Sequence, residues 1–544
     1  MMKQLFVLLA LVCSLGLGAQ GTAAPDNWWE LDRTENSFPG VSAAKAHNYL
    51  EGKQAKPVIV AVIDSGVDIE HEDLKDVIWT NPGEIPGNGI DDDRNGYVDD
   101  IHGWNFIGGA DGRNVNYENL EVVRMYNKLH AKYNNRNRDG LDKKERAEYD
   151  RYVEYKEEIE AKEAELGPSA QQYAMIKDAV DQMLNEMGKS ANEVTARDIA
   201  DYKSDDQTAL IVKNIVANAT ANGGTFAELY DQLEGATDYF DSQLKYNYNK
   251  EFDARDIVGD NPDNLDQRYY GNNDVEGPDA AHGTHVAGII AGVRGNQLGV
   301  NGVGGDHVRI MSVRTVPNGD ERDKDVANAI RYAVDNGAKV INMSFGKGIS
   351  PYKKEVDAAM KYAEKHDVLM VHAAGNDGKL LTLSNNFPND TYQGKKKSGK
   401  TWIEVGAASS EYGEGLAAGF SNYNKKYVDV FAPGAQIYST IPDDQYAKFD
   451  GTSMAAPMVA GIAALVRSYF PDLKAKQVKE IIEESALPVN LEVIKPGSDD
   501  ERVKFSELSA TGGLANAYTA VKLAERTKGK NRRAGKRDPS LMLF

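Results

Sequence analysis

Short apolar runs recur along most of the chain, and the first of them follows Pro57. Residues 58–63 are continuously apolar, which is typical of a strand buried on both faces of a parallel sheet. From residue 281 onward such runs alternate with amphipathic segments, which predicts a doubly wound, mostly parallel α/β sheet with helices on both faces. The further predicted strands are residues 309–313, 339–343, 368–373, 402–407 and 428–431, and the predicted helices are residues 326–336, 354–366, 453–469, 475–484 and 514–525.

The pattern changes in the middle of the chain. Apolar residues between 120 and 129 recur at helical spacing, and residues 142–166 are almost entirely charged residues with high helix propensity. We therefore predict an inserted α-helical lobe that spans residues 113–274. This lobe divides the predicted α/β domain into two parts, residues 26–111 and 276–526.

The two ends of the chain have compositions of their own. Lys3, an apolar run over residues 5–17 and small residues as far as Ala23 predict a signal peptide spanning residues 1–23. This run is too short to span a membrane, and no other stretch of the sequence is long enough. We therefore expect an exported protein that is not an integral membrane protein, with the choice between a periplasmic and a secreted location left open. The basic last segment, residues 528–544, predicts a disordered tail.

Charge and cysteine content narrow the possible functions. The formal net charge of −20 argues against a nucleic-acid partner, because phosphate binding needs clustered Lys and Arg. The same charge also serves solubility, and the sequence leaves the oligomeric state open. The only cysteine is Cys13, within the predicted signal peptide, so we expect the mature chain to contain no thiol and no disulfide. That excludes a cysteine protease and leaves the core or bound ions as the source of stability.

Four segments carry side chains suited to catalysis. Asp64 ends the first apolar run, and catalytic groups of α/β sheets gather at the carboxyl ends of strands. His282 begins the sequence His-Gly-Thr-His-Val-Ala-Gly, whose glycines favour close packing of a helix start. Ser453 opens an apolar helix, where free backbone N–H groups favour developing negative charge. Asn376 follows a predicted strand, and its amide can donate a hydrogen bond to an oxyanion.

Each of these segments also has a plain structural interpretation. An Asp at a strand end and a Ser at a helix start are commonly capping residues, and Asn-Asp-Gly is a common turn. Two His three residues apart could bind a metal, but no Glu lies between them and no Cys is available. We interpret the second of them, His285, as a hydrogen-bonded core residue. No single motif therefore decides the function.

Together, the four segments resemble the subtilisin family of serine proteases, in which the triad runs in the order Asp, His, Ser. The resemblance implies that Ser453 is the nucleophile, that His282 is the general base and that Asp64 orients it. It also implies an oxyanion hole formed by the Asn376 amide and the Ser453 N–H, with no cofactor in catalysis. Polypeptide substrates would lie as an extended strand beside two segments that also wall the specificity pocket, Ser344-Phe345-Gly346 and Ala373-Ala374-Gly375.

A loop at residues 88–100 is strongly acidic and contains five Asp residues around a Gly turn. A hard cation with oxygen ligands would relieve the repulsion between these carboxylates, which predicts a structural calcium site. Asp91, Asp93, Asn95 and Asp99 follow the early spacing of an EF-hand, but His102 at the twelfth position excludes a complete one. The alternative is an acidic loop exposed to solvent.

A second calcium site is implied by the family resemblance alone. The segment Asn296-Gln297-Leu298-Gly299-Val300 resembles the calcium loop of the family. The implied ligands are the side chains of Asp73 and Asn296 and the carbonyl groups of Leu298 and Val300.

The leading functional hypothesis is an exported serine endopeptidase that acts through an acyl-enzyme intermediate. A peptide ligase or macrocyclase and a non-enzymatic binding protein are the alternatives. The chain departs from the usual family pattern in two respects. No room is left for an inhibitory prodomain, because residues 28–50 already resemble the start of the mature domain. The second departure is the helical lobe that separates Asp64 from His282. One hypothesis is that the lobe narrows the active-site cleft and restricts the substrates that can enter. The alternative is that it only adds surface or docks a partner.

Overall fold

The computed structural model of the chain describes residues 24–527, apart from residues 205–208, 211, 215, 218–224 and 393–398. The predicted signal peptide with Cys13 and the predicted tail lie outside the described residues. The chain forms two compact units. The α/β unit comprises residues 24–121 and 253–527, and the helical unit comprises residues 122–252. The helical unit is narrower than the predicted lobe, because residues 113–121 and 253–274 belong to the α/β unit.

A nine-stranded sheet forms the centre of the α/β unit in the described part of the chain. Its strand order is β10-β13-β7-β6-β5-β4-β1-β3-β2, and every pairing is parallel except that of β10 with β13. The predicted doubly wound, mostly parallel α/β fold is therefore confirmed. The strands are β1 (Val58–Asp64), β2 (Gly103–Asn105), β3 (Val308–Arg314), β4 (Val340–Met343), β5 (Leu369–Ala373), β6 (Trp402–Ala408), β7 (Val430–Pro433), β10 (Leu487–Pro488) and β13 (Gly513–Leu514).

Helices cover both faces of this sheet. Val60 and Val62 of β1 pack in one hydrophobic cluster, and Ala61 and Ile63 pack in another, as the alternation of side chains along a strand requires. Helices Ala281–Ala291 and Thr452–Tyr469 contribute to the first cluster, and helices Asp323–Asp335 and Lys353–Lys365 contribute to the second. The other helices of this unit are Arg33–Asn36, Ala43–Leu50, Arg255–Val258, Ala475–Ser485 and Ala517–Arg526.

The differences from the predicted elements have local causes. The last helix begins at Ala517 and not at residue 514, because Gly513–Leu514 forms β13 and the side chain of Asn516 caps the helix by accepting a hydrogen bond from Thr519. Two hairpins were not predicted, since their strands are short and partly polar. They are β8 (Ile437–Ile441) with β9 (Gln445–Phe449), and β11 (Glu492–Ile494) with β12 (Arg502–Lys504).

The helical unit has a hydrophobic core of its own. Its longest helix begins at a capping box formed by Asp142 and Glu145, and it ends at Gly188, which adopts a left-handed conformation with φ of 62°. Buried side chains that include Met183 and Leu233 form a cluster within this unit. Its α-helices include Glu121–Tyr133, whose first residue belongs to the α/β unit, Lys143–Met187, Ala196–Asp201 and Phe226–Ser242, and a π-helical turn follows at Gln243–Asn247. Over the described residues, no helix combines the length and the apolar character needed to cross a membrane.

Strand β1 lies at the point where the chain reverses its direction across the sheet. Its two neighbours are β3 and β4, so the chain places β3 on one side of β1 and then crosses to the other side for β4. Binding and catalytic groups of open α/β sheets collect at the carboxyl ends of strands beside such a reversal. The segments that follow β1, β4 and β5 therefore meet at this edge.

Candidate active site

Asp64 and His282 are in direct contact at the carboxyl edge of the sheet. Asp64 is the last residue of β1 and is 1% exposed. Its Oδ1 accepts hydrogen bonds from Nδ1 of His282 at 2.7 Å and from the backbone N–H of Ser65 at 2.8 Å. His282 lies in the first turn of helix Ala281–Ala291. The fold thus brings together two predicted site residues that are 218 positions apart.

Two glycines allow this approach of helix and strand. A Cβ on Gly283 would lie 2.0 Å from the carbonyl oxygen of Gly66, and a Cβ on Gly66 would lie 1.9 Å from that of Glu276. Gly66 also has a φ of 128°, which L side chains rarely adopt. Because neither position has a side chain, the start of the helix packs directly onto the turn after β1, and His282 reaches Asp64.

The surroundings of His282 favour its protonated form. Removal of the ring from water opposes protonation, but the charge of Asp64, the hydrogen bond to Asp64 and the charge of Asp279 outweigh this and raise the pKa of His282. With Nδ1 bonded to Asp64, the neutral ring carries its proton on Nδ1. The Nε2 atom is then the proton acceptor, and the side chain is 39% exposed.

Ser453 lies in the first turn of helix Thr452–Tyr469. Its hydroxyl donates to the carbonyl oxygen of Ser344 at 2.9 Å, and the hydroxyl of Ser344 donates to the carbonyl oxygen of Ser453 at 2.8 Å. This reciprocal pair joins the start of the helix to the segment that follows β4. Ser453 therefore lies beside the predicted substrate-binding segment Ser344-Phe345-Gly346.

The amide of Asn376 is held in one orientation by Thr452. Its Oδ1 accepts hydrogen bonds from the backbone N–H and from the hydroxyl of Thr452, both at 2.9 Å. The position that a Cβ would occupy on Gly451 lies 3.4 Å from Nδ2 of Asn376 and 3.5 Å from the backbone nitrogen of Ser453. Two hydrogen-bond donors therefore flank one point next to the Ser453 side chain, which is the arrangement that an oxyanion hole requires.

The sequence did not identify Thr452 as a site residue, although its position next to the candidate nucleophile indicates such a role. It stands directly before Ser453, and its hydroxyl also accepts a hydrogen bond from the backbone N–H of Gly375 at 3.0 Å. A buried hydroxyl between a small residue and a candidate nucleophile needs polar partners. The neighbourhood of Asn376 and Ser453 is not readable from spacing, however, because the two are far apart in the chain.

The two predicted substrate-binding segments leave the sheet side by side. Strands β4 and β5 pair in parallel, with Met343 opposite His372. The segment Ser344-Phe345-Gly346 follows β4, and Ala373-Ala374-Gly375 follows along β5 and ends beside Asn376. Phe345 is half-buried with its ring edge-on to His372, and the centroids of the two rings are 6.4 Å apart.

His285 has a structural role, as predicted. Its ring is fully buried and stacks on Phe449 with the centroids 4.3 Å apart. Its Nε2 lies 2.9 Å from the carbonyl oxygen of Ile437 and 3.1 Å from that of Ala447. Burial lowers the pKa of His285 to about 3, so the ring is neutral and serves as a hydrogen-bonded core residue.

The acidic loop brings together a different group of carboxylates from the predicted one. Oxygen atoms of Glu84, Asp93 and Asp100 lie within 4.8 Å of one another. Only Asp93 was among the predicted ligands. The carboxylates of Asp91 and Asp99 each accept two hydrogen bonds from backbone N–H groups of the loop, which stabilise its turns. Calcium binding by Asp91, Asp93, Asn95 and Asp99 stays a prediction.

Asn95 is the remaining predicted ligand of this loop, and its amide nitrogen, not its oxygen, points toward two of these carboxylates. Its Nδ2 donates to Asp93 at 3.2 Å and to Asp100 at 3.0 Å. Burial raises the pKa of Asp100 to about 6, although hydrogen bonds from Tyr332, Asn81 and Asn95 act in the opposite direction. Three carboxylates thus meet at one point, and their hard oxygen atoms fit a calcium ion.

The residues of the second predicted calcium site lie close together. The Nδ2 atom of Asn296 donates to Oδ1 of Asp73 at 2.7 Å, and the N–H of Val300 donates to Oδ2 of Asp73 at 3.0 Å. The N–H of Leu298 donates to Oδ1 of Asn296 at 3.0 Å. The four predicted ligand residues are therefore neighbours, and in this structure hydrogen bonds within the loop take up the side-chain oxygens of Asp73 and Asn296.

The chain belongs to the subtilase family, because residues 55–518 match the model of that family. It is 42% identical over 188 residues to the "Thermophilic serine proteinase" of Bacillus sp. (strain AK1), an alignment that covers 34% of this chain and 42% of that protein. It is 33% identical over 246 residues to the "Cell wall-associated protease" of Bacillus subtilis (strain 168), covering 45% and 25%. It is 35% identical over 246 residues to "Thermitase" of Thermoactinomyces vulgaris, covering 44% and 74%. The chain thus matches less than half the length of the first two relatives.

Proposed function

We propose that this member of the subtilase family is a serine endopeptidase that hydrolyses peptide bonds of polypeptides through an acyl-enzyme intermediate. The observation that carries the proposal is the 2.7 Å contact between Asp64 and His282, made at the sheet edge where the helix bearing Ser453 also begins. The names of the related proteases support the same reaction class. Neither a metal nor an organic cofactor is needed for this chemistry.

The first step requires the hydroxyl of Ser453 to turn away from the carbonyl of Ser344 toward Nε2 of His282. Asp64 holds the Nδ1 proton, so Nε2 takes the proton from the attacking hydroxyl and later donates it to the leaving amine. The negative charge of Asp64 stabilises the imidazolium that forms in between. The raised pKa of His282 agrees with this stabilisation.

The second requirement is stabilisation of the oxyanion. The attack by Ser453 on the substrate carbonyl converts its oxygen into an anion, and donors that are already oriented cost no reorganisation at that moment. Nδ2 of Asn376 and the N–H of Ser453 are two such donors. Thr452 keeps the amide of Asn376 with its donor side toward the reacting carbonyl.

Substrate binding is proposed to use the two segments beside Ser453. An extended peptide would pair its backbone with Ser344-Phe345-Gly346 and with Ala373-Ala374-Gly375, which leaves its side chains in pockets between them. Backbone pairing is independent of side-chain identity, so it tolerates many substrate sequences.

Export and calcium binding complete the proposal. The composition of residues 1–23 supports a signal peptide, and we place the mature protein in the periplasm or outside the cell. A structural calcium ion is proposed at Glu84, Asp93 and Asp100, and a second at the loop of Asp73 and Asn296. An ion that binds only the folded chain stabilises it by mass action.

The deciding experiment is incubation of the purified chain with unstructured casein, with new amino termini as the readout. Ser453→Ala should lower kcat by roughly four to six orders of magnitude, and Ser384→Ala, an exposed serine outside the site, should leave it unchanged. Joined peptides without new termini would favour a ligase. Casein cleavage at the full rate by Ser453→Ala would refute the proposed mechanism.

A further inference from the structure

A cavity of about 340 Å³ lies in the α/β unit, outside the catalytic group. Two α-helices early in the chain contribute Arg33 and Lys45 to its lining, and the last described helix contributes Tyr518 and Lys522. Its rim includes Leu487–Pro488, which is β10, six places from β1 in the strand order. At about 4.8 Å per strand, β10 lies roughly 29 Å across the sheet from the strand that ends at the catalytic aspartate. The cavity is therefore separate from the site described above.

A series of buried hydrogen bonds fixes the floor of this cavity. The hydroxyl of Ser42 donates to Oδ2 of Asp32 at 2.9 Å, and Nδ2 of Asn516 donates to the hydroxyl of Ser42 at 2.7 Å. Oδ1 of Asn516 accepts from the backbone N–H and from the hydroxyl of Thr519, both at 3.0 Å. All four side chains are buried. The two parts of the chain that line the cavity are therefore held together by the protein itself, without help from a ligand.

Arg33 lines the cavity with hydrogen-bonding capacity that the protein does not use. Its Cζ lies 4.0 Å from the ring centroid of Tyr412, and its Nη1 donates to the hydroxyl of Tyr412. Within the described residues, its Nε and Nη2 donate no hydrogen bond, and no carboxylate lies within ion-pair distance of the guanidinium. A guanidinium whose face rests on a ring keeps its planar fork of donors for a carboxylate. Arg33 is thus a half-buried cation that is suited to bind an anion.

The other charges of the lining add to this preference. The Nζ atoms of Lys45 and Lys522 each lie 4.9 Å from the ring centroid of Tyr518. Lys45 also pairs with Glu35 at 2.7 Å. Asp32 is the only acidic residue among the described residues that line the cavity, and its oxygens already accept hydrogen bonds from backbone N–H groups, a hydroxyl and Lys45. Three cations and one anion thus make the lining positive in a chain whose net charge is −20, which attracts anions locally.

The remaining lining is suited to an apolar group. Leu487, Pro488 and the rings of Tyr412 and Tyr518 border the cavity. Tyr518 is held edge-on by Tyr49, with the two ring centroids 5.8 Å apart. Ligand pockets typically combine apolar walls with a few polar groups and have volumes of roughly 300–1,000 Å³. This cavity matches that description at its small end.

We propose that the cavity is a second binding site, which takes a carboxylate joined to an apolar group. The carboxylate pairs with Arg33, and the apolar group contacts the tyrosine rings and Leu487. Two sources offer this chemistry, a free organic acid and the C-terminal residue of a peptide. The inference does not depend on the proposed function, because binding at this cavity requires no catalytic residue.

The test is calorimetric titration of the full chain carrying Ser453→Ala, so that peptide probes stay intact. The probes are 3-phenylpropionate, its neutral amide, the tripeptide Ala-Ala-Phe with a free C-terminal carboxylate, and the same tripeptide as its C-terminal amide. Both acids should bind with a Kd of about 1 mM or tighter, and each amide should bind at least about tenfold more weakly. Tighter binding of the tripeptide than of 3-phenylpropionate would identify a peptide terminus as the ligand, and the reverse order would identify a free acid.

Variants of Arg33 show whether the binding occurs in this cavity. Arg33→Gln should weaken the binding of both acids by about tenfold to a hundredfold, because a hydrogen-bonded charge pair is lost. Arg33→Lys keeps the charge but loses the fork, so it should weaken binding by about two- to tenfold, and it serves if the glutamine variant does not fold. Arg136→Gln is the control. That guanidinium also lies near a tyrosine, 5.7 Å from the ring centroid of Tyr133, but it pairs with Glu145 in the helical unit.

Three results would overturn the inference. The first is equal binding of the acids and their amides, which would show that the carboxylate is not recognised. The second is an unchanged Kd in a folded Arg33 variant, which would place the binding elsewhere, for example in the catalytic cleft. The third is an equal loss of affinity in Arg136→Gln, since a general change of surface charge would then be the cause.

Discussion

Replacement of Thr452 by Val tests whether this residue acts on catalysis through Asn376. Thr452 is fully buried, and its hydroxyl donates to Oδ1 of Asn376 at 2.9 Å and accepts from the N–H of Gly375 at 3.0 Å. Valine has a similar shape but can make neither bond. The bond from the backbone N–H of residue 452 to Asn376 remains, so the amide is loosened and not released.

The size of the effect follows from what is lost. A hydrogen bond contributes about 0.5–1.5 kcal/mol net, and each 1.36 kcal/mol corresponds to about tenfold in rate. We therefore expect Thr452→Val to lower kcat by about three- to tenfold. Removal of an entire oxyanion donor costs about 10²–10³-fold in subtilisin, and we expect a loss of that order for Asn376→Ala. KM should change little in both variants, because the donors act mainly on the transition state.

The assay is kcat on a fluorogenic peptide for the wild type, both single variants and the double variant. If Thr452 acts by orienting Asn376, then Thr452→Val should cause no further loss of kcat in the Asn376→Ala background. Ser468→Ala is the control, because this hydroxyl is equally buried on the same helix but donates to Leu465 at 3.0 Å. An equal reduction of kcat by Thr452→Val in both backgrounds would refute the orienting role.

Three further predictions concern pH, calcium and the helical unit. Catalysis needs the neutral ring of His282, whose pKa is raised, so kcat/KM should fall as pH decreases through a midpoint above 6.5. Because the charge of Asp279 contributes to the raised pKa, Asp279→Asn should lower this midpoint, and an unchanged midpoint would contradict the electrostatic argument. A chelator should lower the Tm, and added calcium should restore it. Asp93→Asn should weaken this calcium dependence, whereas Asp92→Asn, which lies outside the group of Glu84, Asp93 and Asp100, should not. A Tm that the chelator leaves unchanged would indicate an acidic surface without a bound ion. If the insertion restricts substrate size, replacement of residues 122–252 by a Gly/Ser linker should speed cleavage of intact proteins over that of short peptides, and an unchanged ratio of the two rates would refute this.

Those parts of the fold and site that depend on local sequence could be predicted. The apolar run before Asp64 is long enough to specify a buried strand, and the helix that begins near Ser453 is apolar on all sides. Both patterns are contiguous, so their side-chain periodicity is visible without knowledge of the fold. The catalytic candidates were found for the same reason, since each stands next to a Gly or at the end of a predicted element.

The parts that could not be predicted depend on contacts between distant segments. Thr452 is 76 residues from Asn376 in the chain, and nothing in the spacing indicates that its hydroxyl holds that amide. Asn386 has the sequence context of an ordinary loop residue, but its side chain packs against Gly346, 40 positions away, where an added Cβ would lie 2.2 Å from Oδ1 of Asn386. Glu84 lies outside the acidic run and nevertheless joins Asp93 and Asp100. In each case tertiary packing decides which residues come into contact, and neither periodicity nor spacing in the sequence carries that information.

Arg314 shows how the α/β unit keeps Asp64 and His282 together despite the long insertion between them. It is the last residue of β3, lies opposite Asp64 in the parallel register, and is 1% exposed. Its guanidinium donates to the carbonyl oxygen of Ser65 at 2.8 Å and to that of Val115 at 2.6 Å. A Cβ on Gly277 would lie 2.1 Å from its Nε. The turn after Asp64, the chain that leads into the insertion and the chain that returns toward His282 therefore all pack on one buried side chain. These three segments are therefore held together within the α/β unit itself, by contacts that involve no residue of the insertion.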